Sequence, residues 1–531
     1  MGTRPIKRTL AVIDLETDPF MHGREPMPFA AGFYDGQTYM QFWGDSCVAE
    51  LLTFLETRRP HIIYAHNGGK FDYWYLSHAI TPPIKFIGAR LVKAKLGPHE
   101  LRDSYKIIPA PLSAYKKDAI DYSIMERAER DAHRAEITDY LRSDCVYLYD
   151  LVHAFREQFG DVLTIGGAAM KEIVKRYTLP KLKASEDQYF RPFFHGGRCE
   201  IFEVGEIKRR GNWKIFDVNS MYPFVMAGAS HPMGLPASAT SRLPKKGFFM
   251  ATVDATSRGA LPFKTKNGLT FPHGRNIFNA CSHEILAGLE LGILKIHDVK
   301  TCYVWNTLVK FDAFVDYFAA QKIAAEKSGD KIGRLFSKLL MNNAFGKFAQ
   351  NPERFKDFAL FLDADKCEAA GYEVAGMLGD RVIGSRPAIA AYGWHNVATA
   401  ASITSAARAI LLRALHAARR PIYCDTDSII CAALGPEAEQ HPSKLGAWKL
   451  EAEVDTLFIA AKKIYAAQHR GQFYKADGAP IKSACKGAPV APEIIARIAR
   501  GEHHLAAIDA PSVRIGRPQK FITRTLARAE I

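Results

Sequence analysis

Two apolar runs flank a short acidic turn in RRPIYCDTDSIICAAL, residues 419–434. Their length and β-branched content predict two strands, and the D-T-D between them is short enough for a tight hairpin turn. The hairpin holds Asp425 and Asp427 at its tip, where rigid strands would fix both carboxylates. Carboxylate oxygens are ligands that suit Mg²⁺. The segment therefore predicts an antiparallel pair of strands that carries a candidate metal site.

The D-x-D spacing is weak evidence by itself, because the chain has a second copy in FLDADK, at Asp363 and Asp365. This copy lies in a polar, turn-rich stretch without flanking apolar strands, so we interpret it as surface. The first copy gains meaning only from the strands around it and from other segments of the chain.

A third carboxylate, Asp217, ends an apolar strand predicted in WKIFDVNSMYP, residues 213–223. Nucleotidyl transfer requires two divalent metals held by carboxylates, one activating a 3′-hydroxyl and the other holding the triphosphate. Asp217 and Asp425 are expected as the bridging pair, with Asp427 beside them. Tyr222 follows closely, and its ring could pack under the sugar of an incoming nucleotide and clash with a 2′-hydroxyl. A core tyrosine is the alternative.

The segment 311–350 is predicted to be helical, with a polar interruption at 327–331. In its second half, residues three or four apart share one face of the helix. That face carries Arg334, Lys338, Asn342 and Phe345. Such a stripe could grip a triphosphate and stack on a base. A solvated basic face of an amphipathic helix is the alternative.

The amino-terminal third holds a second set of acidic residues. DLET places Asp14 and Glu16 on one face of a predicted strand, and YLRSD places Tyr140 and Asp144 on one face of a predicted helix. AHNGGKFD adds Asp72. Four carboxylates and a tyrosine suit two-metal hydrolysis of a phosphodiester, with the tyrosine orienting the attacking water.

DVNSMYP, KLLMNNAFG and YCDTDS, in this order, resemble the three polymerase motifs of family B DNA polymerases. The last is a full match, whereas Met221, Asn343 and Phe345 replace the family's Leu, Ser and Tyr. The resemblance implies template-directed addition of dNMP to a 3′-hydroxyl, with dNTPs as substrates. It also implies two Mg²⁺ or Mn²⁺ ions per active site. In the polymerase site the implied ligands are Asp217, Val218, Asp425 and Asp427.

Three further segments extend the resemblance to DNA contacts. KKIY (462–465) is similar to the family's K-x-Y near the primer end, FHGGRCE (194–200) to its Y-x-G-G/A between the domains, and Lys486-Gly487 to its late K-G pair. For Phe71, which could stack on a frayed base, core packing is the alternative. The residues implied to bind DNA are Asn67, Phe71, Leu112, Gly196, Gly197, Arg198, Thr426, Lys463, Tyr465 and Lys486.

The amino-terminal acidic segments resemble the three exonuclease motifs of proofreading family B polymerases, which have an RNase H-like fold. The resemblance implies an active 3′→5′ exonuclease whose metals are held by Asp14, Glu16, Asp72 and Asp144, with Tyr140 as a further catalytic residue. One departure is PLSAY at 111–115, where Pro111 stands in place of the Ser or Thr that often precedes Leu112.

A chain of 531 residues is too long for one compact core, so several domains are expected. The expected fold is α+β and multidomain: an exonuclease domain at 1–185, then a right-hand polymerase domain at 186–531. The resemblance implies these subdomains: palm at about 190–310 and 351–465, fingers at about 313–350, and thumb at about 466–531. Insertions are expected near 262–312 and 351–387, the latter turn-rich, and the last forty residues are expected to be partly helical.

The net charge of +15 favours a polyanionic partner, here template and primer DNA. Nine scattered cysteines without a C-x-x-C pair argue against a disulfide framework and a zinc site, and suit a reducing compartment. The longest uncharged stretch, 387–407, is too polar for a membrane span. We expect a monomeric protein in the cytoplasm, the host's if the chain is viral.

In its short length, the chain resembles members of the protein-primed branch of family B, which is found in small bacteriophages, adenovirus-like viruses and linear plasmids. That branch implies a terminal priming protein as a partner. Starts on an oligonucleotide, or de novo, are alternatives. So are an exonuclease whose polymerase half has become a DNA-binding module, and a purely structural nucleic-acid-binding protein.

Overall fold

The computed structural model describes residues 8–21, 24–115, 118–388, 393–488, 490–514 and 517–529. Its amino-terminal unit is a seven-stranded mixed sheet with helices against it. The strands are β1 (Thr9–Thr17), β2 (Pro28–Tyr34), β3 (Tyr39–Trp43), β4 (His61–Ala65), β5 (Ile80–Ile87), β6 (Arg90–Leu96) and β7 (His99–Asp103). The helices of this part of the chain are α1 (Cys47–Glu56), α2 (Asp72–Tyr75), α3 (Arg134–Phe159), α4 (Ile165–Val174) and α5 (Ala184–Tyr189), of which α1 and α3 pack on the sheet.

The strand order is β3-β2-β1-β4-β7-β6-β5, with β4 parallel to both β1 and β7. The long helix α3 packs on β1 and β2 and buries an apolar face that includes Leu141, Leu148 and Phe155. The strands predicted at 9–15 and 61–65 are confirmed as β1 and β4. The helix predicted within 123–159 begins at Arg134, after a 3₁₀ turn over Tyr122–Met125.

The rest of the chain forms further sheets and helices in the described residues beyond α5. Its strands are β8 (Cys199–Ile201), β9 (Gly205–Val218), β10 (His231–Pro232), β11 (Ser238–Thr240), β12 (Phe248–Arg258), β13 (Phe263–Thr265), β14 (Gly268–Thr270), β15 (His273–Cys281), β16 (Leu294–Trp305), β17 (Leu308–Val309), β18 (Lys356–Phe361), β19 (Glu373–Leu378), β20 (Arg381–Pro387), β21 (Arg419–Asp425), β22 (Ser428–Ala433), β23 (Trp448–Ala461), β24 (Ile464–Gln468), β25 (Lys482–Cys485), β26 (His504–Arg514) and β27 (Arg517–Leu526). Its helices are α6 (Met221–Gly228), α7 (Ser282–Glu290), α8 (Asp312–Ser328), α9 (Lys331–Asn343), α10 (Phe345–Phe348), α11 (Ala364–Ala369), α12 (Val397–Ala417) and α13 (Pro492–Ala499).

The central piece is an antiparallel sheet of order β25-β24-β23-β9-β22-β21-β8. The hairpin predicted at 419–434 is its β21–β22 pair. The Ala-rich helix predicted at 396–418 is α12, and most of its residues are buried. The helices α8, α9 and α10 fall within the range predicted for fingers, and Gly329 with φ +74° begins the break between the two longer ones.

Three segments lie at or near predicted boundaries. The strand β12 pairs along its length with β15 and β16, so residue 262 lies in the connection between two paired strands of one four-stranded sheet. The strands β24 and β25 belong to the central sheet, which extends beyond residue 466. Residues 356–387 form a three-stranded sheet, β18-β20-β19, where a turn-rich segment was expected.

The carboxyl-terminal residues contain the helix α13, as expected, and also a β-hairpin, β26–β27, that was not expected. The amino-terminal unit and the rest of the chain share one continuous apolar core. Phe155 of α3 packs edge-on against Phe336 of α9, with ring centroids 5.4 Å apart. The small sheet also packs on the amino-terminal unit, where the Phe86 and Phe358 rings lie 5.1 Å apart. The two halves of the chain are thus joined by packed side chains.

Candidate active sites

The central sheet brings together three carboxylates that are far apart in the sequence. Asp217 lies at the end of β9, opposite Ser428 of β22, and Asp425 ends the neighbouring strand β21. The amide of Val218 donates a hydrogen bond of 2.8 Å to the carbonyl of Asp427. All three acidic residues therefore lie at one edge of the sheet, as the sequence predicted.

The turn between Asp425 and Asp427 is held from outside the hairpin. Thr426 adopts a left-handed backbone, φ +59°, and its amide donates to the carbonyl of Arg198 at 2.6 Å. A Cβ at Gly197 would lie 2.6 Å from Thr426 Oγ1, so this close approach requires glycine. The F-H-G-G-R segment, implied by the resemblance to contact DNA, therefore also supports the turn between Asp425 and Asp427.

Arg198, predicted to bind DNA, is buried, with an ion pair to Glu200 and a 2.8 Å hydrogen bond to the carbonyl of Gly259. Its guanidinium lies over the ring of Phe271 at 4.2 Å. Gly196 is exposed. Among these three neighbours, Arg198 is engaged within the protein, and its predicted DNA contact stays a prediction.

The electrostatics of the sheet edge favour cation binding. Burial, and then the nearby Asp217 carboxylate, raise the pKa of Asp427 to about 7. Burial and Glu451 raise the pKa of Asp217. Repulsion between such half-buried carboxylates is relieved when a divalent cation binds between them. The oxygen donors therefore fit Mg²⁺ or Mn²⁺.

Lys463 lies directly on one of these carboxylates. Its Nζ donates to both oxygens of Asp425, at 2.6 and 2.5 Å. The turn before β24 gives Lys463 a φ of +63°, and its amide donates to the hydroxyl of Tyr423 at 3.0 Å. Tyr465 packs against Tyr423, with ring centroids 5.2 Å apart, and burial raises the pKa of Tyr465 to about 12. Lys486 is exposed, and its amide donates to the carbonyl of Lys463.

The predicted nucleotide pocket contains a stacked aromatic pair. The rings of Tyr222 and Phe345 lie 4.3 Å apart at 17°. Burial raises the pKa of Tyr222 to about 12, and the nearby carboxylates of Asp427 and Asp425 contribute to this rise. The sequence placed both residues near the nucleotide, but their contact with each other was not foreseen.

The polar stripe of α9 faces outward. Arg334, Lys338 and Asn342 are exposed, and Arg334 pairs with Glu326 of α8 at 2.9 Å. This pairing across the two long helices is a feature that the sequence pattern of α9 alone could not reveal. The stripe is therefore on a solvated face, and its contact with a triphosphate stays a prediction.

In the amino-terminal unit, Asp14, Glu16 and Asp144 place their carboxylates within 4.8 Å of one another. Asp14 and Glu16 come from β1, and Asp144 comes from α3, which packs on that strand. Tyr140, one turn earlier on α3, has its hydroxyl 3.0 Å from that of Tyr122. Three of the four predicted carboxylates thus form one group whose oxygen donors fit a hard divalent cation.

The fourth carboxylate, Asp72, is not among those three. It is buried and accepts a hydrogen bond from the amide of Leu15 at 3.2 Å, which fixes it beside the strand of Asp14 and Glu16. Burial, and then Asp103 among the neighbouring charges, raise its pKa to about 7. Asp72 stays a predicted ligand.

Sequence reasoning missed Asp103, which supports the glycine-rich turn between β4 and α2. Asp103 is buried, pairs with Arg90 at 2.6 Å and accepts a hydrogen bond from the amide of Gly69. Its neighbour Ser104 lies 3.0 Å from His66. They are brought to the turn by the parallel register of β4 and β7, which sets Ala65 opposite Asp103 and which no local sequence pattern indicates.

The predicted single-stranded DNA contacts have different surroundings. Asn67 has a left-handed backbone, φ +68°, in this turn. Phe71 packs edge-on between Phe20 and Tyr75, at 5.5 and 5.4 Å. Leu112 is buried in the apolar core, so its contact with DNA stays a prediction.

Comparison with known proteins identifies the group to which the chain belongs. The family described as "DNA polymerase type B, organellar and viral" matches residues 89–432. The DNA-directed DNA polymerase of Enterobacteria phage PRD1 is 38% identical over 557 residues, covering 98% of each chain. The DNA polymerase of Bacillus phage phi29 is 24% identical over 400 residues, covering 68% of this chain and 66% of that protein.

A solved structure of phi29 DNA polymerase with primer-template DNA aligns with 98% of this chain and 100% of that one. Its TM-score is 0.74 at 18% identity, which establishes a shared fold. The predicted α+β multidomain architecture is thereby confirmed. The predicted place in the protein-primed branch of family B is confirmed by the family match and by the 38% identical phage relative, not by the shared fold. The chain belongs to the organellar and viral type B DNA polymerases.

Proposed function

We propose that this DNA polymerase extends a 3′-hydroxyl by two-metal phosphoryl transfer, removes misincorporated nucleotides with a 3′→5′ exonuclease, and begins replication on a terminal protein. The observation that carries the proposal is the convergence of Asp217, Asp425 and Asp427 at one sheet edge, beside the Tyr222–Phe345 pair. Family membership supports the DNA-directed activity.

In the polymerase site, Asp217, Asp425, Asp427 and the carbonyl of Val218 would hold two divalent ions. When bound, these ions activate the 3′-hydroxyl and stabilise the charge of the leaving pyrophosphate. Lys463 stays close to the primer end and balances the charge of Asp425. Tyr222 and Phe345 form the aromatic wall against which the nucleotide would pack, and the exposed Arg334 and Lys338 of α9 would contact its phosphates.

In the exonuclease site, Asp14, Glu16 and Asp144 would hold the ions, with Asp72 as a further ligand. Tyr140 would orient the attacking water through its hydroxyl. The aromatic cluster of Phe20, Phe71 and Tyr75 offers rings on which an unpaired terminal base could stack. None of the described helices combines the length and the apolar character of a membrane span.

We also propose that the protein acts as a monomer in the cytoplasm of the host.

Primer extension separates the proposed activities. The wild type is expected to extend a labelled primer in the presence of Mg²⁺ and dNTPs and to shorten it when dNTPs are absent. Shortening without any extension would instead support an exonuclease with a DNA-binding polymerase half.

The mode of priming has its own test. Labelled dNMP is offered with template, with either the cognate terminal protein or an oligonucleotide. Incorporation onto the protein is expected. Growth only from the oligonucleotide, with the cognate protein present, would reject protein priming.

A further inference from the structure

The first turn of the fingers helix α8 receives a hydrogen bond from a distant part of the chain. The first four amides of a helix have no partner within it, and Phe311, which precedes α8, provides no side-chain cap. The amide of Phe314 instead donates to the hydroxyl of Tyr177 at 3.1 Å, and that hydroxyl lies 3.5 Å from Oδ1 of Asp312. Tyr177 follows the end of α4, in the segment that links the two halves of the chain.

The ring of Tyr177 also contacts the base of the fingers. It packs edge-on against Phe311, with centroids 5.3 Å apart at 73°. Phe311 is fully buried and packs against Phe348 at 5.3 Å. Phe348 is the last residue of α10, the four-residue helix that begins with Phe345.

Phe311 is linked to the other half of the nucleotide pocket as well. Its amide donates to the carbonyl of Met226 at 2.8 Å, and Met226 belongs to α6, the helix that carries Tyr222. Both members of the stacked pair, Tyr222 and Phe345, are therefore attached to Phe311 through short, packed elements. Closely packed interiors transmit small displacements because they contain little free space.

We propose that Tyr177 is a positioning residue for the incoming nucleotide. Its hydroxyl fixes the start of α8, its ring holds Phe311, and Phe311 sets the spacing of the Tyr222–Phe345 pair. Tyr177 acts through these residues and does not itself contact the nucleotide or the metal ligands. The inference rests on the proposed polymerase function and adds a residue outside the motifs of that function.

The test is single-nucleotide insertion by a Tyr177→Phe variant, which keeps the ring and removes the hydroxyl. We expect the KM for dNTP to rise about threefold to tenfold, the factor that corresponds to one net hydrogen bond, with kcat within about twofold of wild type. The degradation of single-stranded DNA and the affinity for primer-template are expected to stay unchanged, since neither requires the nucleotide pocket.

Tyr147→Phe is the matched control. Tyr147 lies on α3, and its hydroxyl contacts Asp118 within the amino-terminal unit, 3.2 Å away. We expect no change in the KM for dNTP. An equal rise in both variants would overturn the inference, because it would show a general effect of losing a buried or half-buried hydroxyl.

A second variant covers the case in which Tyr177→Phe does not fold. Phe311→Leu keeps the hydroxyl of Tyr177 but removes the ring that packs against Tyr177 and Phe348, and it is expected to raise the KM for dNTP in the same way. An unchanged KM in an active Tyr177→Phe enzyme would overturn this inference and leave the proposed polymerase function intact. A wild type that never extends a primer would remove the proposed function first, and this inference with it.

Discussion

The two D-x-D segments of this chain have the same spacing and opposite physical properties. Asp425 and Asp427 are half-buried at the tip of a hairpin in the central sheet, next to Asp217. Asp363 is exposed and caps the short helix α11 by accepting a hydrogen bond from the amide of Lys366 at 2.8 Å. That bond lowers the pKa of Asp363, whereas burial and Asp217 raise that of Asp427.

The difference shows that the neighbours of a carboxylate decide what it can do. An exposed carboxylate with a backbone donor is already stabilised as an anion. A half-buried group of three carboxylates needs a cation, and it obtains one from Lys463 in this structure and from metal ions in the proposed reaction. The comparison predicts large effects on activity at one D-x-D and a small effect on stability at the other.

The largest effect is expected at Asp425. Asp425→Ala removes a proposed metal ligand and leaves Lys463 without its partner, so primer extension should fall by at least about a thousandfold, or about 4 kcal/mol of transition-state stabilisation. The rate of 3′→5′ degradation on single-stranded DNA should be retained. Extension at the wild-type rate would refute the polymerase assignment of this site.

A comparable effect is expected for the other activity at Glu16. Glu16→Ala breaks the group formed with Asp14 and Asp144, and degradation of single-stranded DNA should fall by about a thousandfold while extension persists. Glu16→Gln keeps the shape without the charge and serves as the second variant. Loss of both activities together would mean that the two acidic sites are not independent.

Parts of this arrangement follow from the sequence because they are local. The apolar strands around D-T-D predict the β21–β22 hairpin, and the helical spacing predicts that Arg334, Lys338 and Asn342 share one face. Asp14 and Glu16 alternate on a strand, and their position next to Asp144 depends only on α3 packing on β1. In each case, a periodic pattern of buried residues fixes the direction of the side chains.

Other parts depend on contacts between distant segments. The small sheet at 356–387 was missed because its strands are half-exposed and lack a regular alternation of buried and exposed residues. Asp103 supports the turn of Asn67 through a parallel strand register that no local pattern reveals. Tyr177 reaches the first turn of α8 from a segment 137 positions earlier in the chain.

An intermediate effect is expected at Lys463, whose Nζ donates to both oxygens of the proposed metal ligand Asp425. Lys463→Met keeps most of the side-chain volume and removes the ammonium group that donates hydrogen bonds to Asp425. Extension should slow by about ten- to a hundredfold, and exonuclease activity on single-stranded DNA should not change. Lys463→Arg is expected to recover part of the rate. A variant with full extension activity would show that Lys463 does not contribute to the reaction.

A smaller effect tests whether burial sets protonation elsewhere in the polymerase half. Burial lowers the pKa of His231 to about 4 and that of His283 to about 3, and both histidines contact the hydroxyl of Ser402. Below about pH 6.5 the unfolded chain binds protons that the folded chain does not, so stability falls as pH decreases. The melting temperature should drop by a few degrees between pH 7 and pH 5.

His283→Gln should make that pH dependence shallower, because it removes one of the two buried groups. His153→Gln, at an exposed position on α3, is the matched control and should leave the slope as it is in the wild type. Equal slopes in the wild type and His283→Gln would show that the acid sensitivity arises from other groups.

The smallest effect is expected at the second D-x-D. Asp363→Ala removes the cap of α11, a change that costs about 1 kcal/mol of stability. The helix is short and packs on the small sheet at 356–387, whereas Asp217, Asp425 and Asp427, the proposed metal ligands, belong to the central sheet or its turn. Extension and degradation should therefore both stay at wild-type rates, while the free energy of unfolding decreases slightly. The same substitution, Asp to Ala at the first position of D-x-D, would then change activity about a thousandfold at Asp425 and leave it unchanged at Asp363. A loss of extension in Asp363→Ala would break the comparison, because it would mean that a solvent-exposed helix cap contributes to the reaction.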